Sequence, residues 1–189
     1  DEAGLLGYWS LDEDSGGTAA DETGNGRDMV VPAGVGQGAR GITGSSSYDF
    51  PGDERIEDTD GEAYLNGLMD FTTSVWVRSD QLSTDNGIYG SDTPDSQDNV
   101  FALRYDDAGY FGGGDDVLKT AISIDTNGDG TPDEQMQLET TSDVQTTGWQ
   151  HLVVTRTDGG PLRLYVNGTE VGISYLGDGN GNAYGGSYP

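Results

Sequence analysis

The chain has 189 residues, with 34 acidic side chains against 8 basic ones and a formal charge of −26. That balance excludes nucleic acids and anionic membrane surfaces as partners, because both are held by Lys and Arg against phosphate. Cysteine is absent, which removes disulfides and thiol chemistry, and a domain of this length can bury a core without such staples.

The acidic excess also repels itself, at a range that salt shortens to about 3 Å near 1 M. An Asp-rich chain with one lysine, Lys119, is the composition expected of a protein working in brine. The alternative is a calcium-rich acidic adhesin of ordinary seawater. No apolar run approaches the ~18 residues of a membrane-spanning helix, so no direct membrane insertion is expected. The numbering does not begin with Met, and a mature or excised piece of a secreted protein is expected.

Helical periodicity is nearly absent. Short apolar runs recur between Gly, Asp, Asn and Ser clusters, the signature of an all-β sandwich or barrel. Leu5 to Leu11 reads as an opening strand. Ser47 to Phe50 and Arg55 to Glu57 read as strands flanking a Pro51-Gly52 turn. Phe71 to Arg78 is the clearest strand: Phe71, Thr73, Val75 and Val77 point one way and Trp76 the other. Val100 to Tyr105 follows. Ala121 to Asp125 and Gln135 to Glu139 read as a hairpin, as do Trp149 to Arg156 and Leu162 to Val166. Asn167-Gly168 is a tight-turn signal into a further strand, because both residues tolerate positive φ. No linker divides the chain, so one domain over residues 1–189 is expected.

The order of these runs resembles the laminin-G-like, concanavalin-A-like jelly-roll domains related to pentraxins. Four pieces carry the resemblance: GLLGYWSLDE at Gly4 to Glu13, DETGNG at Asp21 to Gly26, FTTSVWV at Phe71 to Val77, and the late hairpin from Gly148 to Val171. The resemblance implies an all-β, two-sheet antiparallel β-sandwich of the jelly-roll type. It also implies a structural calcium ion near the DETGNG turn, with Asp21 and Asn25 as ligands. The closing strand expected of such a domain is not recognisable in Gly177 to Pro189, which has no apolar alternation.

The sharpest local motif is DTNGDGTPDE from Asp125 to Glu134. Oxygen side chains at positions 1, 3, 5 and 9, with Gly at position 6, match a calcium loop. Asp125, Asn127, Asp129 and Asp133 are the candidate ligands, with the Thr131 carbonyl as a further one. Met136 stands where an EF-hand carries its bidentate Glu, so this is a shorter loop set in a hairpin. An acidic solvated turn is the alternative. The stretch from Tyr105 to Asp116 combines aromatic rings with carboxylates, and Tyr105, Asp106, Tyr110 and Asp115 are candidate sugar contacts. Asn167-Gly168-Thr169 is a glycosylation sequon on a predicted hairpin tip.

His151 is the single histidine. It is expected to be a structural residue with a satisfied hydrogen bond. The nearest glycosidase-like acid run, Glu57 to Glu62, lacks apolar residues at the intervening positions, and Asp115 and Asp116 would repel phosphate from the Gly112 to Gly114 run. The expected function is therefore a non-enzymatic, calcium-stabilised extracellular module for carbohydrate or glycoprotein binding or adhesion. A structural subunit of a surface filament or layer, assembled with copies of itself by strand addition, is the first alternative, and a polysaccharide-acting enzyme is the second.

Overall fold

Residues 3–61, 64, 68, 70–93, 96–106, 115–124, 134–157 and 160–177 are described by the computed structural model. Their contacts fall into two units, Asp1–Asn66 and Gly67–Pro189, each with a core of its own. The named elements among the described residues are all strands, and Tyr64 alone has a helical backbone.

The first unit holds four short strands. β1 (Thr18–Ala19) pairs with β2 (Met29–Val30), and β3 (Gly36–Ala39) pairs with β4 (Ser47–Asp49), both antiparallel. Ala19, Val31, Val35 and Tyr48 are buried together, with Trp9, Leu11, Met29 and Ile56 packed against them. Two expectations are corrected here. Arg55 to Glu57 is not a strand: Glu57 forms a single bridge to Val30, and β4 pairs with β3.

The second correction concerns Leu5 to Leu11, which is not a strand. Leu11 adopts a left-handed φ of 54° that ends any extended run. The ring of Trp9 folds back over Gly7, where a Cβ would collide with it. Trp9 and Leu11 therefore reach the core from an irregular segment.

The second unit contains nine strands: β5 (Phe71–Val77), β6 (Asn86–Thr93), β7 (Ser96–Asp106), β8 (Val117–Ile124), β9 (Glu134–Thr140), β10 (Gln150–Arg156), β11 (Arg163–Val166), β12 (Thr169–Glu170) and β13 (Ile173–Gly177). They form a four-stranded sheet in the order β12-β11-β10-β5 and a five-stranded sheet in the order β13-β9-β8-β7-β6. Every pairing is antiparallel. The predicted β8–β9 and β10–β11 hairpins are both present. Asn167 and Gly168 take φ values of 52° and 79°, the two positive values a tight primed turn needs between β11 and β12.

The two sheets share one core, as a sandwich requires. Leu103, Tyr105, Leu118, Ile122 and Leu138 come from the five-stranded layer; Leu152, Val154 and Leu164 come from the four-stranded layer, and Leu162 joins them just before β11. A hydrogen bond crosses between the layers. The Tyr105 hydroxyl donates to Gln150 Oε1 at 2.9 Å, and Gln150 Nε2 donates to the Val144 carbonyl at 2.8 Å. Burial raises the Tyr105 pKa above its ordinary value, so the phenol stays a donor.

Leu152 is wholly buried, whereas Leu82 is 43% exposed. Leu152→Ala should lower unfolding free energy by about 2–5 kcal/mol, through lost transfer energy plus a cavity. Leu82→Ala should change it by under about 0.5 kcal/mol. Denaturant melts of the two variants check this, and equal effects would contradict the assigned core.

Candidate functional site

Of the residues expected to touch ligand, Asp21 and Asn25 lie in a turn whose geometry is fully described. Asp21 accepts hydrogen bonds from Tyr8 N (3.2 Å), Thr23 N (3.0 Å), Thr23 Oγ1 (2.7 and 2.8 Å) and Arg27 N (3.2 Å). Asn25 donates its amide to the carbonyls of Leu5 and Leu6, and the Arg27 guanidinium also donates to the Leu6 carbonyl. The opening segment is thus held by side chains of this turn, which explains why it needs no ladder.

As arranged, the pair fits a turn closed by the protein's own donors. Asn25 directs N–H groups toward the Leu5 and Leu6 carbonyls, and a cationic guanidinium already sits at Leu6. Calcium takes oxygen ligands, and in this arrangement the Leu5 and Leu6 carbonyls are occupied by those N–H groups. Burial tends to raise the Asp21 pKa. The bonds from the Thr23 hydroxyl and from the Thr23, Tyr8 and Arg27 N–H groups outweigh it and hold the carboxyl at about 2, below its ordinary 3.8.

The expected calcium loop at Asp125, Asn127, Asp129, Thr131 and Asp133 lies outside the described residues. The strands on either side are described: β8 pairs with β9 in a register that ends at Ile124 and Glu134. Tyr110 likewise lies outside the described residues, and Asp115 is exposed.

Tyr105 and Asp106 are corrected as sugar contacts. Both are 1% exposed. Tyr105 faces the shared core and Asp106 faces the other side of the sheet, since neighbouring strand residues point opposite ways. There Asp106 is ion-paired to Arg104 at 2.9 Å and to Lys119 at 3.1 Å. Strand β7 runs further than the sequence suggests and carries both residues inside.

The exposed aromatic surface lies on the outer face of the four-stranded sheet. In the β5–β10 register His151 pairs with Trp76, Val153 with Ser74, and Thr155 with Thr72. These residues point away from the core because Leu152 and Val154 point into it. Trp76 is 40% exposed, and its ring lies on the His151 imidazole at 4.9 Å between centroids and 28° between planes. His151 Nε2 and the Ser74 hydroxyl share a 2.7 Å hydrogen bond.

Tyr165 extends this face through its pairing with Val153, and Arg78 lies 5.7 Å from the Trp149 ring at one end. Asn167 is exposed at the margin, where its side-chain oxygen accepts from His151 N at 2.9 Å. The sequence marks Trp76 as outward-facing. Missing from the sequence is the register that sets it on His151 and beside Ser74; only an aromatic at an outward strand position signals the site. The hydrogen bond expected of His151 is present, on an outer face.

The Laminin_G_3 family profile, described as the concanavalin A-like lectin/glucanases superfamily, matches residues 51–187, well over half of the chain. No curated protein matches the chain. Among solved structures, residues 221–444 of an S-layer domain-containing protein from Clostridium thermocellum ATCC 27405 superpose with a TM-score of 0.53 at 22% identity, covering 89% of this chain and 71% of that one. At that identity the likeness shows a shared fold.

The Asp21 hub should be visible in acid. Its carboxyl pKa is lowered on folding, so its contribution is complete above about pH 4 and is lost as pH falls through about 2. Acid titration of the wild type should show a loss of stability in that window, followed by amide signals of Tyr8 and Thr23. Asp21→Ala should lower stability at neutral pH and flatten this step. An unchanged step in the variant would contradict the hub.

Proposed function

The chain belongs to the concanavalin A-like lectin/glucanases superfamily, and from that premise we propose that it is a non-catalytic module of a cell-surface protein that binds carbohydrate or glycoprotein. The observation that carries this reading is the exposed Trp76 ring braced on His151. A flat indole presents an apolar face that suits the C–H face of a sugar ring. Ser74 supplies a short polar group beside it for hydroxyls, and the sheet beneath holds the ring without an ordering cost at binding. An absence of catalysis is in keeping with the acid run at residues 57–62. Asp58 accepts from Asp60 N at 2.9 Å and from the Tyr64 hydroxyl at 2.7 Å, so it closes its own turn instead of lining a strand face.

Assembly with copies of the same chain is the second reading, supported by β5. It stands at the edge of its sheet with a seven-residue register to β10 that has no bulge, and it contains no lysine or proline. Such an edge invites strand addition. The S-layer description of the structural neighbour is in keeping with that use. Concentration-dependent association of the purified chain would favour it.

Calcium belongs to the same proposal. Asp125, Asn127, Asp129, Asp133 and the Thr131 carbonyl would hold the ion. It would relieve repulsion among these carboxylates and fix the hairpin between β8 and β9. Glycosylation of Asn167 is also proposed, at the margin of the aromatic face.

Two measurements check these assignments. In molar potassium chloride, Trp76→Ala should weaken binding of array-selected glycans about tenfold, the factor that about 1.4 kcal/mol represents. Its melting temperature should stay near that of the wild type. Undiminished binding would remove this face as the site. Millimolar calcium should raise the melting temperature of the wild type, because it binds the native state, and Asp129→Ala should remove most of that rise. An equal rise in the variant would mean the loop is only a turn.

A further inference from the structure

Lys119 is the single lysine of the chain, and it is 5% exposed. A lysine is almost never buried unless paired, and this one stands between two carboxylates on three adjacent strands. In the register, Lys119 on β8 faces Arg104 on β7 and Glu139 on β9, while Asp106 is its diagonal neighbour on β7. All four point away from the shared core. Lys119 Nζ lies 3.1 Å from Asp106 Oδ2 and 3.6 Å from Glu139 Oε2. Asp106 is 1% and Glu139 9% exposed. Neither Lys119 Nζ nor Glu139 Oε2 makes a hydrogen bond of good geometry.

We propose that Lys119 and Asp106 join through an intramolecular amide bond, with Glu139 as the catalytic proton carrier and Arg104 as a positioning residue. An amine held near van der Waals contact with a carboxyl group reacts at a very high effective concentration, because the encounter has been made in folding. In a dry site, moving a proton from ammonium to carboxylate replaces two desolvated charges with two neutral groups. Nζ then attacks Asp106 Cγ and forms the new C–N bond. The Arg104 guanidinium, 2.9 Å from Oδ2, opposes the negative charge that develops on the carboxyl oxygens. Glu139 takes a proton from the attacking nitrogen and passes it to the departing oxygen. The Cγ–O bond breaks and one water leaves.

The sum is ammonium plus carboxylate giving amide plus water, with no oxidant and no co-reactant. The bond would tie β7 to β8 covalently in a chain that has no cysteine for a disulfide. Like a disulfide, it would restrict the unfolded chain. It is independent of any glycan.

The test is the intact mass of the purified full chain after denaturation. The bond predicts a mass lighter than the sequence by one water. It predicts no ε-amine labelling of the denatured chain by an amine reagent. It also predicts that trypsin leaves residues 105–156 as one peptide, since Lys119 is the one trypsin site between Arg104 and Arg156. Glu139→Gln should carry the full mass, with Lys119 labelled once the chain is denatured. Asp106→Asn, which can lose ammonia instead, should be lighter by that amount if it links. A wild-type chain of full mass, with Lys119 labelled and cleaved, overturns the proposal whatever the variants do. Complete linkage in Glu139→Gln overturns the role given to Glu139.

Discussion

One buried hydrogen bond fixes the phase of both layers of the second unit: Tyr105 on β7 to Gln150 on β10. A strand has only two faces, and a slip of one residue exchanges them. With Tyr105 inward, Asp106 must turn to the other side of its sheet, where Arg104 and Lys119 meet it. With Gln150 inward, His151 must turn outward, where Trp76 and Ser74 meet it. The ionic cluster on one layer and the aromatic face on the other are consequences of the same contact across the core. Gln150 is tied further, through Thr146 N at 2.9 Å and the Val144 carbonyl, so its orientation is set from both ends of the side chain.

This arrangement shows why composition alone misleads about the charged residues. A chain with a formal charge of −26 is expected to keep its carboxylates in water. Asp106 and Glu139 are nevertheless inside, and the lone lysine is inside with them. As the chain folds, before any bond joins Lys119 to Asp106, two cations and two anions close together compensate one another, whereas one carboxylate left alone there would be costly. Asp21 shows a second route to burial. Its carboxylate is satisfied by N–H and O–H groups, which also lets the opening segment do without a strand partner.

Much of the second unit is legible in the sequence, because its signals are local. The alternation in FTTSVWV sets the faces of β5, the Asn167-Gly168 dipeptide sets a turn, and the apolar residues of β8, β9 and β10 mark the core. Strands β6 and β13 escape notice because their apolar residues are few and interrupted by Gly, Ser and Asp; pairing with β7 and β9 makes them strands. Leu5 to Leu11 misleads in the opposite sense. Its apolar pattern suits a strand, but its backbone groups are captured by the Asp21–Arg27 turn, and no window on the segment itself reveals that. Tyr105 and Asp106 look like rim residues because they border a run of Gly and Asp. Their burial follows from the length of β7 and from partners 13 to 45 residues away in sequence.

The absence of cysteine allows the phase of the sandwich to be read directly by single cysteine substitutions along β5 and β10, with labelling of the native state by a thiol reagent. Positions 72, 74 and 76 on β5 and 151, 153 and 155 on β10 should label rapidly. Positions 73, 75 and 77 on β5 and 152 and 154 on β10 should stay protected until the protein unfolds. Uniform labelling along either strand, or protection of the first set with exposure of the second, would contradict the phase on which both the aromatic face and the Lys119 cluster depend.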